Sequence, residues 1–105
     1  MEHRYSKRVP VNINSLIHSR NATDIPGKIK NIGYDGVFIE STSIAFPKGS
    51  TVEVEFTLDR GTEFRLPAMV IHSSESGMGL MFRQHDLRSS SYIKRLIRRA
   101  QSHVV

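Results

Sequence analysis

Between Val9 and Phe82 the chain sets apolar residues at every second position in six short runs, separated by turn-forming residues. A period of two puts alternate side chains on opposite faces of a strand, so each run needs neighbours to cover its apolar face. Val9, Val11 and Ile13 alternate with Pro10, Asn12 and Asn14, and Lys28–Ile32 and Val37–Glu40 follow the same rule. Val52–Leu58 is the clearest case, with valine, phenylalanine and leucine on alternate positions. Glu63–Ile71 is longer and less regular, and Gly77 opens a last run, Met78–Phe82. Pro10 cannot donate to a ladder, which places the start of the first strand at an edge. Asn21–Gly27 reads as a loop by composition, and Gly33-Tyr34-Asp35-Gly36 as a hairpin turn. Phe46–Gly49 and Asp59-Arg60-Gly61 supply further turns. With no helix between the runs, the fold class expected is all-β, an antiparallel barrel or sandwich of six strands over residues 9–83.

The period then changes. Tyr92, Ile93, Leu96, Ile97 and Ala100 form a helical stripe, and Lys94, Arg95, Arg98 and Arg99 lie largely off it. An amphipathic C-terminal helix over 88–103 follows, with Ser89, Ser90 or Ser91 as N-cap. At 105 residues the chain is one domain with one modest core.

Charge is unevenly placed around a net +5. Residues 1–30 carry six Lys/Arg against two acids, residues 31–87 four against eight, and residues 88–105 five against none. An acidic body with basic ends suits a local anionic ligand, an acidic partner or a membrane surface better than a duplex, which calls for a continuous basic face. Few aromatics, 8% with no Trp, also argue against a single-strand-binding barrel, so neither DNA nor RNA is expected. The chain has no cysteine, which excludes disulfides, thiolate zinc sites and cysteine catalysis and fits a reducing, cytoplasmic setting. No apolar run approaches the length of a membrane span, and Met1–Arg8 has no apolar stretch that would make it a secretory leader.

Catalysis is not expected. His3, His18, His72, His85 and His103 show no ligand spacing, so no metal is anticipated, and His18 and His72 are read as surface or rim residues. Glu53 and Glu55 share a strand face whose alternation points it to solvent, where nothing would raise a carboxyl pKa for acid–base work. The glycines form neither a dinucleotide fingerprint nor a phosphate loop, and no cofactor is implied.

Two short motifs remain: Arg4-Tyr5-Ser6-Lys7-Arg8, an R-x-x-x-R ahead of the first strand, and Asn31-Ile32-Gly33-Tyr34-Asp35-Gly36, an N-x-G-x-x-G. Each is weak alone. Their order, their separation and the flanking strands together resemble the PilZ domain, whose motifs are R-x-x-x-R and (D/N)-x-S-x-x-G. The resemblance covers nearly the whole chain. Val9-Pro10-Val11 follows the arginine motif, Val37-Phe38-Ile39 follows the second, and Gly77–Phe82 and the trailing helix are similar to the family's closing elements.

What the resemblance implies is a receptor for the bacterial second messenger cyclic di-GMP, built as a PilZ-like barrel with residues 1–8 as a flexible arm. Arg4, Arg8, Asn31, Gly33 and Gly36 are then the ligand-binding residues. Arginine forks suit both the ligand's phosphodiesters and the O6/N7 edge of guanine. Asn31 would offer an amide from the barrel wall, and Gly36 would let the backbone turn tightly and keep the nearby surface open. Two positions depart from the pattern. Gly33 stands where the family usually has serine, and His3 precedes Arg4 where many relatives carry arginine or leucine, which leaves one ligand or an intercalated ligand dimer open. The expected output is a signal relayed to an unidentified partner protein in motility, pilus, polysaccharide or biofilm control, with homo-oligomerisation through the helix also considered. The alternative is a PilZ protein that binds no nucleotide and acts only through protein contacts.

Overall fold

A computed structural model describes residues 8–20, 22–40, 46–57, 63–83 and 87–102. Six strands and one helix follow in chain order: β1 (Val9–Ser19), β2 (Ala22–Ile32), β3 (Gly36–Glu40), β4 (Thr51–Thr57), β5 (Glu63–Ser74), β6 (Gly77–Phe82) and α1 (Leu87–Ser102). Every pairing is antiparallel, and the strands close into a barrel in the order β1-β2-β3-β6-β5-β4.

The alternation read from the sequence is what fills the barrel. Val52, Val54 and Phe56 of β4, Leu66, Ala68 and Val70 of β5, and Met78, Leu80 and Phe82 of β6 all point inward and are buried. Ile17, Ile25 and Ile29 meet them from β1 and β2, and Val37 and Ile39 from β3. The helix joins the same core through Ile93 and Ile97, with Leu96 and Ala100 packed beside them. Burying each isoleucine contributes about 1.5–3 kcal/mol. Aromatic stacking continues from Phe56 to Phe64, 4.6 Å between centroids, and from Phe64 to Tyr92 of α1 at 4.7 Å. The apolar stripe of the helix is therefore spent on its own barrel.

Several expectations need correction. Of the expected loop Asn21–Gly27, the described residues Ala22–Gly27 are strand: β2 begins at Ala22, pairs with β1 through Ile17↔Ile25 and Leu16↔Pro26, and buries Ile25. Pro26 is tolerated there because β3 joins β2 only from Lys28 onward, so the proline sits where the ladder has one neighbour. The same rule accounts for Pro10, since β4 meets β1 only from Ser15 to His18. The helix is described over Leu87–Ser102, which puts Ser89, Ser90 and Ser91 inside it and moves the N-cap outside the described residues, where His103 also lies. The face shared by Glu53 and Glu55 is not uniformly solvated. Glu55 is buried, because His18 Nε2 lies 2.7 Å and Arg65 Nε 3.2 Å from its Oε1. His18 stands on the outer wall, half-buried, and is more than a bystander there: its Nδ1 lies 2.7 Å from Asp24 Oδ1 and its Nε2 2.7 Å from Glu55 Oε1, tying β1, β2 and β4 together. The turn proposed at Asp59-Arg60-Gly61 lies outside the described residues, and Phe46–Gly49 does turn, with Gly49 at φ +95°.

Candidate ligand site on the barrel wall

A bulge in β2 shapes the site. Ile29 and Ile32 are three residues apart yet both fully buried, which a strict period of two forbids. The extra residue falls between Ile29 and Asn31, where the β2–β3 register shifts. A bulge re-aims side chains, and here it leaves Lys30 exposed and Asn31 half-buried on the outer wall. Asn31 pairs with Pro10 of β1 and with Phe38 of β3. Arg8, just ahead of β1, reaches back to it: Arg8 Nη1 donates to Asn31 Oδ1 at 3.2 Å. With Oδ1 held by Arg8, Asn31 has its two amide N–H donors to offer a ligand's acceptors.

The adjoining turn is tightly latched. Gly33 N–H donates to the Gly36 carbonyl at 2.9 Å, and Phe82 N–H donates to the Asp35 carbonyl at 2.8 Å. Gly36 is glycine for a reason other than the one expected. It is not among the positive-φ glycines of the described residues, which are Gly49 and Gly77. Instead a Cβ at Gly36 would fall 2.1 Å from the Leu80 carbonyl oxygen, so the residue permits β3 to approach β6. Gly33 is likewise not in the left-handed region and is buried at the turn.

Of the five residues singled out, Arg8 and Asn31 touch, and Gly33 and Gly36 close the neighbouring turn. Arg4 lies outside the described residues. A further part of the wall escaped the sequence reading. Asn31 pairs with Phe38, Phe38 with Gly79, and Gly79 with His72, so these residues form one outward row across β2, β3, β6 and β5. Strands lie about 4.8 Å apart, so the row spans roughly 14 Å. Phe38 and Gly79 are half-buried and His72 is exposed, with Ile71 beside Gly79. The row puts an aromatic ring, a bare glycine and an imidazole on the same outer wall as an arginine and an amide. Such a wall offers an aromatic face to a planar ring and charged and amide donors to an anion or acceptor edge. The signal for it in the sequence was the unbroken apolar triplet Val37-Phe38-Ile39, in which the middle residue has to face outward. Among the described residues no group of three His, Asp or Glu side chains could hold a metal ion.

The PilZ domain family model matches residues 2–99. The chain belongs to the PilZ domain family. Solved structures agree on the fold. The PilZ domain of CeSA from a cellulose-synthesizing bacterium is 18% identical with a TM-score of 0.75, covering 91% of this chain and 99% of its own. The PilZ domain of YcgR from Escherichia coli, solved with c-di-GMP, is 11% identical with a TM-score of 0.81, covering 96% and 93%. The inhibitor of motility MotI/DgrA from Bacillus subtilis is 15% identical with a TM-score of 0.80, covering 100% of this chain and 55% of its own. No curated protein sequence matches the chain.

Proposed function

We propose that this PilZ domain is a receptor for cyclic di-GMP that binds the nucleotide on the wall around Asn31, and that it is a regulatory binder, not an enzyme. The observation that carries the reading is the Arg8–Asn31 contact at 3.2 Å beside the row Phe38–Gly79–His72. A guanine is planar and carries O6 and N7 acceptors, and a phosphodiester is an anion; an arginine fork and an amide beside an aromatic ring suit both. The c-di-GMP complexes of YcgR and of MrkH from K. pneumonia support the ligand class, since both share this barrel. Arg4 would join Arg8 from the arm. Gly33 and Gly36 contribute backbone only. In the cell the domain would act in the cytoplasm and pass the bound state to an output protein of motility, pilus, polysaccharide or biofilm control.

The test is calorimetric titration of the wild type and Arg8→Ala with cyclic di-GMP. Micromolar binding by the wild type, weakened about ten- to a hundredfold by the substitution, is expected, because hydrogen bonds to a charged group are worth about 1.5–3 kcal/mol. Absence of binding at tens of micromolar ligand would refute the reading. It would favour the second one, an interaction module without nucleotide, for which Gly33 in place of the family's serine is the supporting observation.

A further inference from the structure

The solvent face of α1 carries a feature that the nucleotide site does not use. Arg88, Lys94, Arg95, Arg98 and Arg99 are all exposed, and the chain from Leu87 onward has no acid. At 3.6 residues per turn these five side chains, with exposed Ser91 among them, fill one arc of about 140°. The opposite arc, Ile93 and Ile97 with Leu96 and Ala100, is packed on the barrel. The cationic arc runs for about 17 Å along the axis at 1.5 Å per residue. It is rigidly presented, because Tyr92 is stacked on Phe64 at 4.7 Å and the Arg95 guanidinium lies 5.9 Å from the Tyr92 ring centroid.

We infer that this face docks an acidic helical segment of a partner protein, one whose carboxylates recur every three to four residues along a single stripe. Arg88 and Arg95 are seven apart, and Lys94, Arg95, Arg98 and Arg99 repeat at three to five, the spacing at which a helix laid alongside presents its own side chains. Four of the five cations are arginine, whose planar fork matches a carboxylate in two bonds. A lipid surface reads charge without preferring arginine, and the apolar stripe that could enter a bilayer is already buried in the barrel. The charge of the body also points to α1. Residues 8–83, which make the barrel, balance eight Lys/Arg against eight acids, so the excess positive charge that an acidic helix would meet lies on α1.

The experiment titrates the full chain with a synthetic helical peptide of three heptads that carries glutamate on one stripe. Its scrambled counterpart of equal charge, phosphatidylglycerol vesicles and a short DNA duplex serve as comparisons, all at about 50 mM salt so that screening is modest. The striped peptide is expected to bind at least tenfold tighter than the scrambled one. Arg95→Glu/Arg98→Glu should lose that binding while leaving the circular dichroism spectrum unchanged, since both positions are exposed. Arg95→Lys/Arg98→Lys/Arg99→Lys, which keeps the charge, should still lose severalfold. Equal affinity for the scrambled peptide, indifference to the lysine exchange, or tighter binding of vesicles or duplex would overturn the proposal. None of these readouts depends on cyclic di-GMP, so failure here leaves the nucleotide reading standing.

Discussion

Gly36→Ala should destabilise the barrel by about 3 kcal/mol or more, although it adds a single methyl group. The added carbon would lie 2.1 Å from the Leu80 carbonyl oxygen, 3.1 Å from its carbonyl carbon and 3.2 Å from Met81 Cα, all backbone atoms of the paired strand. No rotamer change relieves such an overlap. β3 and β6 have to separate by about 1 Å to restore a normal carbon–oxygen contact, and overpacking of this kind costs about 1–3 kcal/mol by itself. The movement also strains the Phe82 N–H to Asp35 bond at 2.8 Å and the Gly33 N–H to Gly36 bond at 2.9 Å. Weakening either adds about 0.5–1.5 kcal/mol. For a domain of this size 1 kcal/mol corresponds to roughly 4–8 °C in Tm, so a fall of about 12–24 °C is expected. Urea denaturation with thermal melting measures it. A loss under 1 kcal/mol would mean that the β3–β6 approach is not what this glycine serves.

Arg8→Lys should weaken cyclic di-GMP nearly as much as Arg8→Ala, because an ammonium cannot reproduce the fork; a lysine variant that titrates like the wild type would sink the bidentate model. Gly33→Ser should tighten the ligand by about two- to tenfold, one neutral hydrogen bond's worth, since Gly33 is not at positive φ and serine meets no backbone penalty there; unchanged affinity in paired titrations would count against a ligand at this turn. His18→Leu should cost about 1–3 kcal/mol in urea denaturation, because it takes from the buried Glu55 the partner 2.7 Å away and leaves it Arg65 among the described residues. A variant as stable as the wild type would show the bridge to be ornamental.

Alternation made the barrel legible, because Val52-Glu53-Val54-Glu55-Phe56 can bury only one side and no helix interrupts the runs. The helix was legible for the same reason at a different period. What composition hid was β2, where the polar, proline- and glycine-containing segment 22–27 pairs on one side only and so tolerates residues that an interior strand would reject. The fate of Glu55 was illegible because the residues that bury it, His18 and Arg65, are distant in sequence and meet it only through the β1–β4 and β4–β5 registers. The site divides likewise. Arg8 and Asn31 were found as motif positions, whereas the row of Phe38, Gly79 and His72 depends on the β3–β6 and β5–β6 pairings.

The strand order has a kinetic consequence. Barrel closure requires pairings such as Leu16 with Glu55 and Gly36 with Met81, which join strands separated by several intervening turns. Loop-closure entropy has to be met before these contacts repay it, so folding should be slow for a domain of this length, in the millisecond-to-second range typical of non-local β topologies. The row from Asn31 to His72 crosses the β3–β6 seam and does not exist until that seam has formed. A ligand gripping both sides of it therefore cannot nucleate the barrel and acts as a latch on the finished one. At a hundred times its Kd such a ligand would deepen the native well by about 2.7 kcal/mol, and each further tenfold would add about 1.4 kcal/mol, so resistance to unfolding would rise with the logarithm of ligand concentration.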